Sequence, residues 1–327
     1  MHAGLLREVT EDEVRTYEDS GVVYLPALLS DAWVARIATG IDDALHRQWQ
    51  SEGIAKYSVT EAAEALKTAG QQVLSDARAA AIPEDRRGRF LTMIGANAIN
   101  ADIRAAAVES PLPYIAARLF RARKVNFYDD QTLMKEPGTR EYTAFHTDEP
   151  YYHLSGDQVC GMWVSPDVVT VDSGAMRYVR RSHRWGSFFR TNNFASQGQG
   201  LLVGEDGVDN EEGQIQLPDI EGNQEKYDIV TYPSNPGDVI VHHSNLIHGS
   251  GPNYRADRNR RAVSFRYAGD DVRYRHHRSA PPQPHHRHAL RDGDILDSEQ
   301  FPVVWRLTPP LADEYERRGR VSTADQV

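Results

Sequence analysis

The chain is poor in thiols, in long apolar runs and in excess basic charge, and each shortage excludes something. Its one cysteine, Cys160, cannot form an internal disulfide, so packing must hold the fold, as expected of a protein kept in a reducing cytoplasm. No apolar run approaches the roughly 20 residues that span a bilayer. Met1 to Glu8 shows neither the basic region nor the apolar core of a signal peptide, so the expected location is cytoplasmic, with no membrane partner. Basic residues number 37 against 47 acidic ones, a net charge of −10 that speaks against a nucleic-acid partner. What remains, 40% hydrophobic and 26% charged over 327 residues, is the balance of a globular protein with a full core.

The first 123 residues read as mainly helical. Thr10-Glu11-Asp12-Glu13 has the form of a capping box, Gly21 stops the helix it opens, and Val22-Val23-Tyr24-Leu25 is a short strand. Trp33, Ile37, Ile41, Leu45 and Trp49 recur every four residues, the apolar stripe of a helix. Alanine-rich helices are expected around 61–81 and 100–121. From Lys124 the period shortens. Strands are expected at 124–134, 143–148, 159–165, 174–180, 228–232, 237–243 and 261–267, separated by turn residues such as Asn235-Pro236-Gly237-Asp238. Many short strands imply an all-β barrel or sandwich. Residues 190–226, polar and Gly-rich, form an insertion that is either a surface loop or a lid. The simplest account is one domain over 1–327: a helical layer to 123, a β core over 124–280 and a C-terminal extension over 281–327.

Within the β core stands His146-Thr147-Asp148, with His248 following 102 positions after the first histidine. Residues i and i+2 of a strand share a face, so His146 and Asp148 can reach one ion while Thr147 points away. A third imidazole from a distant strand completes a two-His-one-carboxylate triad, which suits Fe(II) and leaves coordination positions open. His242 and His243 end the preceding strand, which puts His248 after a turn, beside the flexible His248-Gly249-Ser250-Gly251. The other histidines invite over-reading. His276, His277, His285, His286 and His288 lie amid Pro and Arg and read as a solvated loop. His183 reads as a structural turn residue, and His153 could face the pocket.

Arg260, Ala262, Ser264 and Arg266 share one face of an alternating strand. A guanidinium turned into a core must meet an anion, and a dicarboxylate offers a planar bidentate pair. Arg266 is the rival on the same face.

Taken together, these segments resemble the phytanoyl-CoA dioxygenase family of Fe(II)- and 2-oxoglutarate-dependent oxygenases. The resemblance runs from Tyr17–Pro26 through Leu133–Gly138, Phe145–Asp148, Trp163–Asp167 and Ser173–His183 to Pro236–Asp238, His248–Asn253 and Arg260–Ser264. It implies a double-stranded β-helix (a jelly-roll, cupin-like barrel), with His146, Asp148 and His248 as iron ligands. It further implies that Arg260 binds the distal carboxylate of 2-oxoglutarate, helped by Ser250, with Gln131 and Trp163 lining the co-substrate side. The implied cofactors are Fe(II), 2-oxoglutarate and O2. The implied reaction is oxidation of an unactivated C–H bond of a small molecule by hydroxylation, desaturation, cyclisation or epimerisation. Related halogenases replace the carboxylate ligand, and Asp148 speaks against that chemistry. One departure is Arg180-Arg181-Ser182-His183, where relatives often read Pro-Gly-Ser-His. Tyr151, Tyr152 and the insertion are candidate substrate contacts. Two other readings stay open: a Zn(II) or Mn(II) hydrolase or isomerase on the same barrel, and a non-catalytic ligand-binding barrel.

Overall fold

The computed structural model describes residues 4–192, 195 and 212–308. Helix α1 (Glu11–Ser20) begins on the expected capping box, Thr10 and Glu13 bonding reciprocally, and ends on Gly21 at φ 75°. Strand β1 (Val22–Leu25) follows. Helix α2 (Asp31–Asp42) passes into a π-helical turn, Asp43–Arg47, and its stripe buries Ile37, Ile41 and Leu45. The two alanine-rich stretches each break into a pair of helices, α3 (Val59–Thr68) with α4 (Ala77–Ala80) and α5 (Ala101–Glu109) with α6 (Leu112–Phe120). Ser110, Pro111 and Pro113 account for the second break, since proline removes a helical donor and restricts the residue before it.

The N-terminal third also carries strands β2 (Ala55–Ser58) and β3 (Phe90–Ile94), which the sequence reading did not anticipate. Phe90-Leu91-Thr92-Met93-Ile94 is buried almost throughout and so shows no alternation to read. The remaining strands are β4 (Lys124–Lys135), β5 (Thr143–His146), β6 (Leu154–Ser155), β7 (Val159–Val164), β8 (Met176–Val179), β9 (Ile229–Tyr232), β10 (Val239–His243), β11 (His248–Ser250), β12 (Arg260–Ala268), β13 (Arg273–Tyr274) and β14 (Val303–Arg306). The expected strands all occur, with shifted ends. Residues 193, 194 and 196–211 of the insertion and 309–327 of the extension lie outside the described residues.

The large antiparallel sheet runs β1-β10-β7-β12-β4-β3-β2, with β14 beside the start of β4; the small one runs β5-β11-β8-β9. The protein is mainly β, and its two antiparallel sheets have the jelly-roll, cupin-like arrangement expected from the sequence. Strand β12 shows how the layers are specified. Val263, Phe265 and Tyr267 join one core cluster with Ile37, Ile41, Ile103, Ile115 and Leu119 of the helices. Ala262 belongs instead to a second cluster with Trp163, Ile240, Met176 and Tyr178, which links the large sheet to the small one. The period of two thus sends apolar side chains to the helices and Arg260, Ser264 and Arg266 to the cavity on the other side.

The departure at 180–183 keeps its turn without glycine. Arg181 takes φ +65°, a left-handed conformation costing an L-residue about 1–2 kcal/mol, while Arg181 and Arg180 pair with Asp19 and Asp228.

Candidate active site

His146 closes β5 and stands directly opposite His248 on β11 in antiparallel register. Their rings lie 4.3 Å apart. Strand β5 ends at His146, short of the expected 148. Asp148 adopts helical angles (φ −82°, ψ −29°) at the mouth of a single 3-10 turn. The carboxylate therefore reaches the site through a turn and not along the face of a strand. His248 differs from expectation too: it lies within a strand flanked on both sides, by β5 and by β8, so its backbone is held and not flexible.

Asp148 Oδ1 lies 3.7 Å from His146 Nε2 and 3.8 Å from His248 Nε2. All three ligand atoms fall within 4.8 Å of one another, and all three residues are buried. The Nδ1 of His146 lies 2.8 Å from Ala144 O, and the Nδ1 of His248 lies 2.9 Å from Leu246 O. Donation by each Nδ1–H to a backbone carbonyl leaves Nε2 as a lone pair facing the centre. Burial, reinforced by neighbouring imidazoles, lowers both histidines to about 4, so both imidazoles are neutral at physiological pH, the form that can ligate a metal. Burial alone would raise Asp148, but His248 and His242 outweigh it and hold the carboxyl well below its ordinary range. His242 Nε2 lies 3.3 Å from Asp148 Oδ2, the oxygen turned away from the other two histidines. Donor types, tautomers and spacing fit a divalent transition metal.

Arg260 lines the same cavity and is buried, its Nη2 donating to Ser250 Oγ at 3.2 Å. Its Nε and Nη1 meet no acceptor among the described residues, and the guanidinium stands 5.8 Å from the Trp163 ring. Burial depresses it to about 10. Lys135, which the sequence reading passed over, adds a second buried cation. Its Nζ donates to Ser250 Oγ at 3.0 Å and to Gly251 O at 2.7 Å. Two buried cations, one with unmet donors and neither hydrogen-bonded to a carboxylate among the described residues, make a site for an anion. Leucine-like burial of a lysine is rare, yet a signal existed: Lys135 is four positions beyond Gln131 and so shares its strand face.

All seven residues expected at the site line this one cavity: Gln131, His146, Asp148, Trp163, His248, Ser250 and Arg260. Gln131 accepts from Arg266 Nη2 at 2.6 Å and donates to Thr92 at 2.9 Å. Arg266 is thereby tied to Gln131, with Asp129 3.9 Å away, and is not the free cation that Arg260 is. A second pocket opens onto His146 and Asp148 and is walled by Tyr57, Val59, Ile94, Tyr151, Tyr152, Pro281 and Pro282. His153 does not line it and stacks on His276 at 4.9 Å. His183 packs against His243 at 5.3 Å, a structural position. The expectation of a solvated histidine tract fails at His285 and His286, whose side chains are buried against Asp129.

Among the described residues no helix is long and apolar enough to cross a membrane. Comparison with curated proteins returns no match. Among solved structures the chain resembles the non-haem α-ketoglutarate-dependent carbocyclase SnoK from nogalamycin biosynthesis (22% identity, TM-score 0.60, 91% of this chain and 97% of that one). It also resembles the epimerase SnoN of the same biosynthesis (19%, 0.60, 90% and 98%). A third likeness is to EvdO2 from Micromonospora carbonacea var. aurantiaca complexed with 2-oxoglutarate (17%, 0.54, 86% and 98%). At these identities the likeness is one of fold. A match to the phytanoyl-CoA dioxygenase (PhyH) family spans residues 17–262, three quarters of the sequence, and the chain belongs to that family.

Proposed function

We propose that the protein is an Fe(II)- and 2-oxoglutarate-dependent oxygenase acting on a C–H bond of a small, largely uncharged molecule. The observation that carries this reading is one cavity lined both by a buried His146–Asp148–His248 group and by the buried Arg260, whose Nε and Nη1 find no acceptor among the described residues. A hydrolase or a plain binding barrel has no need of the second.

In this reading His146, Asp148 and His248 hold the iron, which with 2-oxoglutarate and O2 supplies the oxidising chemistry, giving succinate, CO2 and oxidised substrate. Arg260 and Lys135 bind the distal carboxylate of the co-substrate and fix its orientation, with Ser250 positioning both donors. His242 orients Asp148. Trp163 and Leu133 line the inner cavity and exclude water from it. Tyr151, whose ring stands 5.9 Å from that of His146, marks where substrate approaches the centre. The apolar walls of the outer pocket favour an apolar body with few charges. Hydroxylation is the simplest outcome. The carbocyclase and epimerase of similar fold make ring closure and epimerisation the natural alternatives to assay.

The test is anaerobic absorption on adding Fe(II) and then 2-oxoglutarate to the wild type, Asp148→Ala and Arg260→Ala. A weak visible charge-transfer band in the wild type, lost in both variants, is the expected result. Iron bound normally with no band on adding 2-oxoglutarate would sink the reading.

A further inference from the structure

His285 and His286 close the segment that follows Pro281-Pro282-Gln283, and both turn inward onto Asp129 of β4. Asp129 Oδ2 lies 3.0 Å from His285 Nε2 and 3.3 Å from His286 Nε2. The imidazole rings stand edge to face, 4.4 Å apart. The side chains of Asp129 and His285 are 1% exposed and that of His286 is 4% exposed. Gly95 makes the room, because a Cβ there would lie 2.3 Å from the His285 ring.

Hydrogen bonding does not account for this cluster. His285 Nε2 pairs with Asp129, but His285 Nδ1 and both nitrogens of His286 are buried without a hydrogen-bond partner among the described residues. His286 Nε2 comes within 3.3 Å of the carboxylate, close enough for attraction but off the direction of a well-formed hydrogen bond. Leaving such groups unmet is costly, and native proteins rarely do so. Spacing offers another partner. Ligand atoms held at about 2.0–2.1 Å around a tetrahedral ion are roughly 3.3 Å from one another. The two separations from Asp129 Oδ2 are close to that edge, and the three ligand atoms lie within 4.8 Å. Charge is divided. Arg266 Nη1, 3.9 Å from Asp129, opposes a cation, while the buried carboxyl of Asp130 next in sequence favours one.

We propose that Asp129, His285 and His286 form a second divalent-cation site, apart from the His146–Asp148–His248 group, and that it takes Zn(II). Two imidazoles and one carboxylate suit a borderline ion that takes a single enclosed water as its fourth ligand. The ion would tie the 281–286 segment to β4 at a place where Pro281, Pro282 and Gln283 wall the outer pocket. It would hold that wall in place and take no part in oxidation.

The full-length chain, stripped with chelator, is dialysed against Zn(II) and its metal content measured. Two equivalents are expected in the wild type and one in His286→Ala. One is also expected in the His146→Ala/Asp148→Ala double variant, which leaves the second cluster untouched. Co(II) should give visible ligand-field bands in that double variant, with circular dichroism verifying its fold. A folded double variant that holds no Zn(II) would overturn the proposal and leave a hydrogen-bonded His285–Asp129 pair in its place. Two equivalents in His286→Ala would overturn it as well.

Discussion

Arg260 and Lys135 stand directly opposite one another on antiparallel strands β12 and β4, both fully buried, and both donate to the hydroxyl of Ser250. Like charges placed opposite in a sheet destabilise it, and burial multiplies the cost. Ser250 cannot offset this, because its oxygen already accepts twice and donates once, to Thr143 at 3.1 Å. The arrangement makes energetic sense for a protein that works with an anion between the two cations.

Lys135→Met should separate binding from stability. Methionine fills similar volume without charge, so the ligand-free variant should unfold at a urea concentration no lower than the wild type. Its KM for 2-oxoglutarate should rise tenfold or more, the loss of a charged hydrogen bond of about 1.5–3 kcal/mol. A destabilised variant with unchanged KM would refute the assignment.

The same lysine predicts a pH dependence. Burial, then the Arg260 charge, pushes its folded pKa well below the ordinary value. Between that depressed value and the unfolded one near 10.4, the unfolded chain binds more protons, so this group's contribution to stability grows as pH rises through the window. A bound carboxylate favours the ammonium, so binding takes up a proton and affinity should weaken as pH climbs from 7 to 9. Calorimetric Kd values should rise across that range in the wild type and stay flatter in Lys135→Met. Equal slopes would count against the coupling.

His242 should matter through Asp148. His242→Leu removes the group that holds Oδ2 and should weaken Fe(II) binding about 10–100-fold, as removal of outer hydrogen bonds does at metal sites. Gly161→Ala should act the same way at a distance, since its Cβ would lie 2.6 Å from His242 Nε2. Fe(II) titration followed by competition with a chelator reads both variants, and wild-type affinity in the two would remove His242 from the account.

Ile94→Trp should fill the outer pocket and leave the inner cavity intact, because Ile94 lines only the former. The charge-transfer band with Fe(II) and 2-oxoglutarate should persist while substrate oxidation falls at least tenfold. Loss of the band would mean that the two pockets are not independent.

Legibility from sequence followed the physics of each segment. The half-polar strand β12 declared both its faces, and the apolar stripe of α2 declared its buried side. Strand β3 was silent because it is buried on both faces, and β11 because three residues cannot establish a period. The cavity residues His146, His248 and Arg260 were legible because few other roles need those types at that spacing. Lys135, His285 and His286 were not, since Lys and His are ordinarily found on the surface and only their tertiary neighbours reveal otherwise.

The pairing of β5 with β11 also bears on how the protein assembles. His146 and Asp148 meet early in any folding scheme, but His248 arrives only when a loop of about 100 residues has closed, an entropic cost of about 4 kcal/mol. A metal ion cannot nucleate a site whose third ligand comes so late. Iron held by all three should therefore slow unfolding and leave the folding rate unchanged, so the ion acts as a brake on leaving the native state.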